Sequence, residues 1–388
     1  MKVIYMDNSA TTPLCDAARQ AMTEAFEMYG NPSSLHLLGV RSERIVNKAR
    51  GILLGALGDT AKGRVYFTGS GTEANNLALF GTAYAKASNV GKRIVITDSE
   101  HPSVSACASE LEKRGFQIVR IPTENGIVNE EALLSSVDGK TFLVSIMTVN
   151  NESGAEYDIK RLVKLCKRVN PDVIFHTDAT QAFMKAQVNA KLTGADLITV
   201  SGHKIGAPKG IGALYVSGDV IKRKAISPHI FGGGQEGGIR SGTENVIHIH
   251  AFGAAVEYGM KNYSENLKNT EILRKYAVDA LSRLDGVRIN TPKSERVSPS
   301  IISVTVNGIK SEVMLHHLES EGIYVSSGSA CSSHHKGVSQ AMTAFGLTED
   351  ESDSTIRISL GYNNTFDECD ALVSSLKSGI ATLATKVR

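Results

Sequence analysis

Between residues 64 and 216 the sequence alternates between short runs of β-forming residues and longer segments with helical periodicity. Four of the runs are residues 64–67, 93–97, 117–121 and 141–146, and several of them are almost continuously apolar. A strand that is apolar on both faces belongs to a sheet that is covered on both faces, which is typical of parallel sheets with crossover helices. We therefore predict an α/β fold with a mostly parallel sheet in this part of the chain.

The pattern changes at the glycine-rich residues 231–238, which predict a loop. Helical periodicity from about residue 245 to residue 284 then predicts one long helix. Beyond Gly286, β-like runs alternate with helical segments near residues 311–321 and 366–387. This last part predicts a smaller α+β domain, and a chain of 388 residues is long enough for two domains.

Charge and cysteine content argue against several functional classes. The 42 lysine and arginine residues nearly balance the 40 aspartate and glutamate residues, so the charge gives no reason to expect nucleic acid or a membrane as a partner. With no long apolar run and no N-terminal signal pattern, we expect a cytoplasmic protein. The 5 cysteines form no C-x-x-C pair, which argues against a disulfide framework, and Cys107 and Cys166 fit buried positions on helices.

Two predicted strands near the centre of the chain end on chemically distinctive residues. Residues 195–200 lead directly into residues 201–204 (SGHK), and residues 173–177 lead into Asp178. A surface lysine and a turn or helix-capping aspartate are the ordinary interpretations of Lys204 and Asp178. In α/β enzymes, however, ligands bind outside the carboxyl ends of the strands.

Residues 67–76 (FTGSGTEANN) read as a strand, a glycine loop and a helix start. Free N–H groups and the positive end of the helix dipole would converge near Gly71 and Thr72 and favour an anion. The spacing matches neither the P-loop nor the G-x-G-x-x-G pattern, and a plain tight turn fits it equally well. Together with an aspartate for a pyridine nitrogen and a lysine for an aldehyde, it supplies the parts of a pyridoxal phosphate site.

Nine short motifs occur in a fixed order along nearly the whole chain. They are residues 5–13 (YMDNSATTP), 30–36 (GNPSSLH), 71–76 (GTEANN), 99–101 (SEH), 149–152 (VNNE), 176–181 (HTDATQ), 201–204 (SGHK), 240–245 (RSGTEN) and 326–333 (SSGSACSS). With these motifs the chain resembles the pyridoxal-phosphate-dependent cysteine desulfurases, which are fold type I enzymes with a class V aminotransferase-like architecture. The resemblance implies a large domain with a mostly parallel seven-stranded sheet over residues 16–257. Residues 1–15 and 258–388 would form the smaller α+β domain.

The resemblance also implies roles for individual residues around the cofactor ring. Lys204 would form a Schiff base with the aldehyde, Asp178 would face the pyridine nitrogen, and Gln181 would face the phenolic oxygen. His101 would stack on the ring and shuttle protons. Cys331 would take sulfur from L-cysteine as a persulfide and leave alanine, and its small-residue surroundings are typical of a mobile, exposed loop.

The implied site is completed by groups for the substrate and the phosphate. Asn151 and Arg357 would receive the substrate carboxylate, which the planar fork of an arginine suits, and Asn151 would also contact the cofactor. The phosphate would be held within a homodimer by the Gly71 backbone, Thr72, Ser201 and His203 of one subunit and Thr243 of the other. A sulfur-acceptor protein, such as an iron–sulfur scaffold or a thiolation enzyme, would then take the sulfur.

Several alternatives stay open at this point. A selenocysteine lyase or cysteine-sulfinate desulfinase would share the fold, an aminotransferase would not need the mobile cysteine, and a catalytically inactive sulfur-relay scaffold would keep the fold without turnover. Cys331, His334 and His335 could be a metal site, but no fourth ligand is evident and we predict no metal. Ala207 stands where the family has glycine. We expect no C-terminal extension of the kind with which housekeeping desulfurases dock a cluster scaffold, and the acceptor therefore stays open.

Overall fold

The computed structural model of the chain describes residues 3–86, 92–327 and 339–383. In chain order its strands are β1 (Ile4–Tyr5), β2 (Arg64–Thr68), β3 (Arg93–Thr97), β4 (Gln117–Ile121), β5 (Thr123–Glu124), β6 (Ile127–Val128), β7 (Thr141–Ser145), β8 (Ile174–Asp178), β9 (Leu197–Ser201), β10 (Gly212–Val216), β11 (Val287–Ile289), β12 (Ile301–Val306), β13 (Ile323–Tyr324), β14 (Ser326–Ser327) and β15 (Thr355–Ser359).

The helices connect these strands and cover the sheets. In chain order they are α1 (Asp16–Ala25), α2 (Leu37–Ala56), α3 (Gly71–Lys86), α4 (Pro102–Lys113), α5 (Glu130–Ser136), α6 (Ile159–Val169), α7 (Ala190–Thr193), α8 (Gly218–Lys222), α9 (Val246–Lys261), α10 (Tyr263–Leu281), α11 (Ser311–Ser320), α12 (Gln340–Ala344), α13 (Glu349–Asp353) and α14 (Phe366–Leu383). None of the helices in these described ranges is both long and apolar enough to cross a membrane.

The central sheet has seven strands in the order β2-β10-β9-β8-β7-β3-β4. The pairs β3–β4, β3–β7, β7–β8 and β8–β9 are parallel, and only β10 runs antiparallel to its two neighbours. The predicted α/β fold with a mostly parallel sheet is confirmed. β10 is the one reversed strand of this sheet, so β2 and β9 on either side of it run in the same direction. The carboxyl ends of the other six strands therefore lie along one edge of the sheet.

Both faces of the central sheet are covered by apolar layers, as the continuous apolar strands predicted. Successive residues of a strand point to opposite faces. Phe175 of β8 therefore packs on one side with Leu53 of α2 and Phe252 of α9, whereas Ile174 packs on the other side with Leu77 of α3. The two layers explain why β8 carries no exposed residue.

The two helical cysteines are part of these layers. Cys107 of α4 and Cys166 of α6 are both buried, as predicted for cysteines that act as small apolar side chains. Burial raises the pKa of Cys107 to about 11, and this thiol donates to the carbonyl oxygen of Ser103 at 3.0 Å. Both thiols are therefore structural and stay protonated at neutral pH.

A second, four-stranded sheet with the order β11-β12-β15-β14 forms the C-terminal part of the structure. Its apolar face packs against α10, α11 and α14 through a cluster that contains Ile302 of β12, Ile358 of β15 and Leu372 of α14. Met6 from the N-terminal segment belongs to the same cluster, and β1 pairs in parallel with β13. The start of the chain therefore packs with its C-terminal part.

The prediction of one continuous helix over residues 245–284 is wrong, because α9 ends at Lys261 and α10 begins at Tyr263. The residue between them, Asn262, has non-helical backbone angles of φ −104° and ψ 8°. Its side-chain amide donates to the carbonyl oxygen of Tyr258 at 2.8 Å. Asparagine competes in this way with the helical hydrogen bonds, and the apolar period alone does not reveal it.

A buried ion pair fixes the glycine-rich loop to the central sheet. Arg50 of α2 donates to both carboxylate oxygens of Glu236, at 2.7 and 2.9 Å, and the N–H of Phe67 donates to the same carboxylate at 3.2 Å. Glu236 has φ 52°, a backbone conformation that costs free energy for a residue with a side chain. The bidentate ion pair with Arg50 holds Glu236 in this conformation and keeps the loop against β2.

Removal of this carboxylate leaves a buried guanidinium without its partner. We expect Glu236→Ala to lower the free energy of unfolding by about 3 kcal/mol, the scale found when one member of a buried ion pair is deleted. Urea unfolding followed by circular dichroism measures the change. Glu257→Ala, on an exposed position of α9, is the matched control and should change stability by less than about 0.5 kcal/mol. Equal stability of both variants would contradict an anchoring role for Glu236.

Candidate active site

A cavity of about 340 Å³, here called the front cavity, lies at the carboxyl-terminal edge of the central sheet. β8 ends at Asp178 and β9 at Ser201, and Asp178 is in register with Thr199, so the two strand ends lie side by side. The turn of 3₁₀ helix after β9 carries Lys204. The residues predicted from the sequence that line this cavity are Gly71, Thr72, His101, Asn151, Asp178, Gln181, Ser201, His203, Lys204 and Arg357.

Asp178 is held in place by two hydrogen-bond donors. Its Oδ2 accepts from Nδ2 of Asn75 at 2.7 Å, and its Oδ1 accepts from the N–H of Thr180 at 2.9 Å. Asn75 also donates to Oγ of Ser103 at 2.8 Å, which ties the carboxylate to the start of α4. The buried carboxylate therefore has a fixed position in the cavity wall.

The start of α3 forms another part of the wall. A methyl group on Gly71 would lie 3.1 Å from Cβ of Ser201 and 3.2 Å from Oγ1 of Thr180, so a larger residue would narrow this space. Oγ of Ser201 is buried, and no other described residue hydrogen-bonds to it. An open space between a helix N-terminus and a buried hydroxyl suits a phosphate group. Thr72 is exposed at the rim of this space.

Lys204 lies where the N-terminal segment crosses the sheet edge. Its Nζ donates to the carbonyl oxygen of Ala10 at 2.8 Å and to that of Ser9. Gln181 donates to the same Ser9 carbonyl oxygen at 2.9 Å, and its own Oε1 is buried without a described partner. Gly206, just after the lysine, has φ +84° and lies against Cys15. A side chain there would strain the turn that presents the lysine.

Two histidines face the front cavity in their neutral form. His101 caps α4, and its Nδ1 lies 2.8 Å from Oγ of Ser103 and accepts from the N–H of the same residue at 3.2 Å. Burial lowers the pKa of His101, and this effect outweighs the Asp178 carboxylate, which raises it. Nδ1 of His203 lies 3.2 Å from Oγ1 of Thr11. Burial and nearby lysines lower the pKa of His203 to about 4.

Arg357 of β15 reaches the front cavity from the C-terminal sheet. It donates to Oδ1 of Asp7 at 3.0 Å and to the backbone carbonyl oxygen of Asn151 at 3.0 Å. Its Nε is buried without a described partner. The predicted substrate carboxylate would therefore bind an arginine that already has an ion pair, so it must displace Asp7 or approach another guanidinium N–H.

Two predicted residues are not placed in the front cavity. Thr243 lies on a separate, smaller cavity of about 160 Å³, close to Arg240. Arg240 pairs with Glu73 at 2.7 Å. Cys331 lies outside the described residues, as do His334 and His335 of the metal alternative. In the part of the chain that the structure describes, no group of three or more acidic, histidine or cysteine side chains could hold a metal ion.

Sequence reasoning missed several residues that the fold brings to the site. Asn75 was part of a motif but received no role, although it stands four residues after Gly71 and so on the same side of α3. Ser103 follows His101 by two positions, which gave no signal of its own. Thr180 and Ser9 contribute mainly through backbone groups, and a sequence pattern does not reveal a backbone contact.

The residues present fit pyridoxal phosphate. The phosphate would have the α3 N-terminus and the free Oγ of Ser201, and the ring nitrogen would have the carboxylate of Asp178. The aldehyde requires a lysine amine, and Lys204 lines the same cavity. The unpartnered Oε1 of Gln181 and the neutral ring of His101 offer further polar contacts.

Comparisons with known proteins cover nearly the full chain. A family model described as aminotransferase class-V matches residues 4–372. A cysteine desulfurase IscS of Clostridium botulinum is 37% identical over 379 residues, which is 97% of this chain and 94% of that protein. A solved structure titled as a NifS-like protein has a TM-score of 0.90 and 32% identity over 98% of this chain and 100% of that chain. The structure of SspA in complex with cysteine has a TM-score of 0.77 and 28% identity over 93% of this chain and 100% of that chain.

The depressed pKa of His203 is directly measurable. We expect its ring to stay neutral down to about pH 5.5 in the folded protein, whereas the urea-unfolded chain should titrate near pH 6.5. Since the unfolded chain then binds the extra proton, His203 lowers stability as the pH falls from about 6.5 toward 4. Histidine-labelled NMR with a His203→Asn variant for assignment measures the midpoint. A folded-state midpoint above pH 6 would contradict the buried, neutral ring.

Proposed function

The chain belongs to the aminotransferase class-V family, and from this premise we propose that it is a pyridoxal-phosphate-dependent cysteine desulfurase. It converts L-cysteine to L-alanine and passes the sulfur to a cysteine of its own chain as a persulfide. Its full-length similarity to cysteine desulfurases favours this reaction within the family. The observation that carries the proposal is the front cavity, in which Asp178, Lys204 and the space beside Gly71 lie together.

When bound, pyridoxal phosphate supplies an electron sink for the negative charge that develops at Cα of the substrate. The carboxylate of Asp178 would face the ring nitrogen, and Asn75 keeps that carboxylate in position. Gln181 would face the phenolic oxygen. The phosphate would be held by the Gly71 backbone, Thr72, Ser201 and His203.

Two residues of the front cavity move protons in this proposal. The Nζ of Lys204 takes the proton from Cα of cysteine, and the backbone carbonyl oxygens of Ser9 and Ala10 orient this amine. His101 accepts the proton of the substrate thiol. Its lowered pKa keeps the imidazole unprotonated at neutral pH, so a ring nitrogen is available to accept this proton.

Arg357 and Asn151 bind the substrate carboxylate. Arg357 is buried, so an ion pair between its guanidinium and a carboxylate would be shielded from water. Such a pair would be stronger than an ion pair at the surface. Asp7 now holds one side of the guanidinium. If the substrate carboxylate takes the place of Asp7, the N-terminal segment loses its ion pair with Arg357. Substrate binding would then affect the position of residues 7–10.

Cys331 is the residue we assign as the sulfur acceptor. The described chain reaches Ser326, which is in register with Arg357 across β14 and β15, and Ser327 follows. Cys331 itself lies outside the described residues. The Cys331 thiolate attacks the sulfur of cysteine, and an S–S bond forms as the Cβ–S bond breaks. The electron pair of the broken bond stays on Cβ, which takes up the proton released by the substrate thiol, so the three-carbon remainder leaves as alanine.

The persulfide then passes to an acceptor. We propose that the acceptor is a protein of iron–sulfur cluster assembly or of another sulfur-transfer pathway, in keeping with the names of the similar proteins. Because the Cys331 thiol must be regenerated after each turnover, the protein would work in a reducing compartment, and we propose the cytoplasm. The proposed domain division, 16–257 against 1–15 with 258–388, is supported by the packing of Met6 in the C-terminal cluster.

The Cys331→Ala variant separates cofactor binding from sulfur transfer. We expect it to keep the visible absorption of the bound cofactor and to lose at least 100-fold in alanine release from cysteine, since the nucleophile is gone. Borohydride reduction and peptide mass mapping should still find the pyridoxyl group on Lys204. Cys166→Ala, at a buried cysteine of α6, is the control and should retain turnover. Full turnover by Cys331→Ala would remove the nucleophile assignment.

A homodimer completes the proposed site. Thr243 lies away from the front cavity of its own chain, so it can hold the phosphate only across an interface with a second copy. Large apolar side chains at the surface support such an interface: Leu35 is 98% exposed, and Phe231 beside the glycine-rich loop is 82% exposed. Exposed apolar residues mark an association site where several occur together, and Phe26, Tyr29 and Leu37, near Leu35 in the chain, are exposed as well.

Mixed dimers test whether the site is shared. Lys204→Ala and Thr243→Asp should each abolish activity, the second because its carboxylate repels the phosphate. A tagged mixed dimer of the two variants should recover about half of the wild-type activity per dimer, because one of its two sites is intact in a C₂ arrangement. An inactive mixed dimer, with both subunits shown to be folded by circular dichroism, would place Thr243 outside the partner's site.

A further inference from the structure

A second cavity, here called the rear cavity, has a volume of about 440 Å³ and shares Lys204 with the front cavity. Its walls come from the N-terminal segment, the facing parts of α9 and α10, and residues 360–364. Among the predicted functional residues that the structure describes, Lys204 is the one that lines it. The rear cavity is therefore large enough for a small organic molecule and is not accounted for by the proposed reaction.

Lys185 lines the rear cavity and is unusual for a lysine. It lies in the turns between β8 and α7, where its N–H donates to the carbonyl oxygen of Ala182 at 2.8 Å. Its Nζ is buried, and in the described chain no hydrogen-bond partner reaches it. A buried ammonium without a partner is costly, so the group either loses its proton or pairs with an anion.

The described lining of the rear cavity includes two carboxylates, Asp16 and Glu368, but neither is a hydrogen-bond partner of Lys185. Asp16 is fully exposed, and Glu368 accepts hydrogen bonds from Nδ2 of Asn364 at 2.9 Å and from the N–H of Thr365 at 3.3 Å. Neither carboxylate hydrogen-bonds to Nζ of Lys185. An anionic occupant next to Lys185 would therefore supply the acceptor that the wall itself does not.

The pKa of Lys185 reflects this burial without a hydrogen-bond partner. Burial lowers its pKa to about 7, and the charges of Lys204 and Arg357 add to the effect. At neutral pH a small rearrangement of charge thus decides whether the amine is protonated. A bound anion would favour the protonated form and would gain a charge-assisted hydrogen bond from it.

The rest of the lining is mixed. Leu14, Met184, Leu267 and Leu360 border the cavity together with polar residues such as Asn266 and Thr270. A molecule with one anionic end and a short aliphatic body would place its charge at Lys185 and its body against the apolar residues.

We propose that the rear cavity is a binding site for a small aliphatic carboxylate, whose carboxylate group pairs with Nζ of Lys185 and whose body lies against Leu14, Met184 and Leu267. The site is separate from the substrate carboxylate site at Arg357, so it does not depend on the proposed reaction. Because Lys204 borders both cavities, an occupant here changes the charge next to the proposed catalytic amine. The site would therefore connect the level of a carboxylate in the cell to the state of Lys204.

Calorimetric titration of the cofactor-loaded protein with butyrate tests the proposal, with uncharged butyramide as the matched ligand. We expect a saturable butyrate site in the wild-type protein and at least a 10-fold loss of affinity in Lys185→Met, which keeps the length of the side chain but not its charge. Lys191→Met, on the exposed face of α7, should bind as the wild-type protein does. Lys185→Arg should retain most of the affinity.

Thermal unfolding supplies the second measurement. Without ligand, Lys185→Met should melt at or above the wild-type temperature because a buried unpaired cation is removed, and butyrate should stabilise only the proteins that keep a cation at this position. Butyrate affinity of Lys185→Met within twofold of wild type would overturn the proposal. If Lys185→Met does not fold, equal binding of butyramide and butyrate to the wild-type protein would overturn it instead.

Discussion

The pairing of β9 with β10, and of β10 with β2, determines where everything else in the site lies. Gly212 at the start of β10 is opposite both Thr68 and Ser201, so the end of β2 and the end of β9 meet across one residue. A methyl group on Gly212 would lie 2.4 Å from the backbone carbon of Ser70. Only glycine permits this approach, which brings the start of α3 next to the turn that carries Lys204.

The N-terminal segment is the second element on which the site depends. It joins the two parts of the structure through backbone and side-chain groups: Asp7 pairs with Arg357, Asn8 donates to the carbonyl oxygen of Ser359 at 3.0 Å, and Ser9 accepts from both Gln181 and Lys204. These bonds link the sheet edge of the large part to β15 of the smaller sheet. Substrate that displaced Asp7 would loosen one of these bonds and not the others.

The protonation states of the ionisable groups around Lys204 are set by burial as much as by ion pairing. Burial keeps His101 and His203 neutral and depresses the pKa of Lys185 to about 7. Lys204 stands between the front and rear cavities, so the amine proposed to move the substrate proton responds to charge on both sides. A second cation near a lysine amine favours its neutral, nucleophilic form, which is a recognised way to activate a lysine.

The sequence by itself determined the α/β class, the mostly parallel sheet, the positions of Asp178 and Lys204 at or just after strand ends, and the family. Apolar periodicity indicates which segments are buried, and the short motifs indicate the turns and the family. It did not determine that Asn262 ends a helix, since a single side-chain hydrogen bond outweighs the periodicity there. Nor could it place Asn75 and Ser103 around Asp178, bring Asp7 to Arg357, or bury Lys185 in a cavity without a partner. These contacts join residues far apart in the chain, and only the packing of the two sheets and the N-terminal segment brings them together.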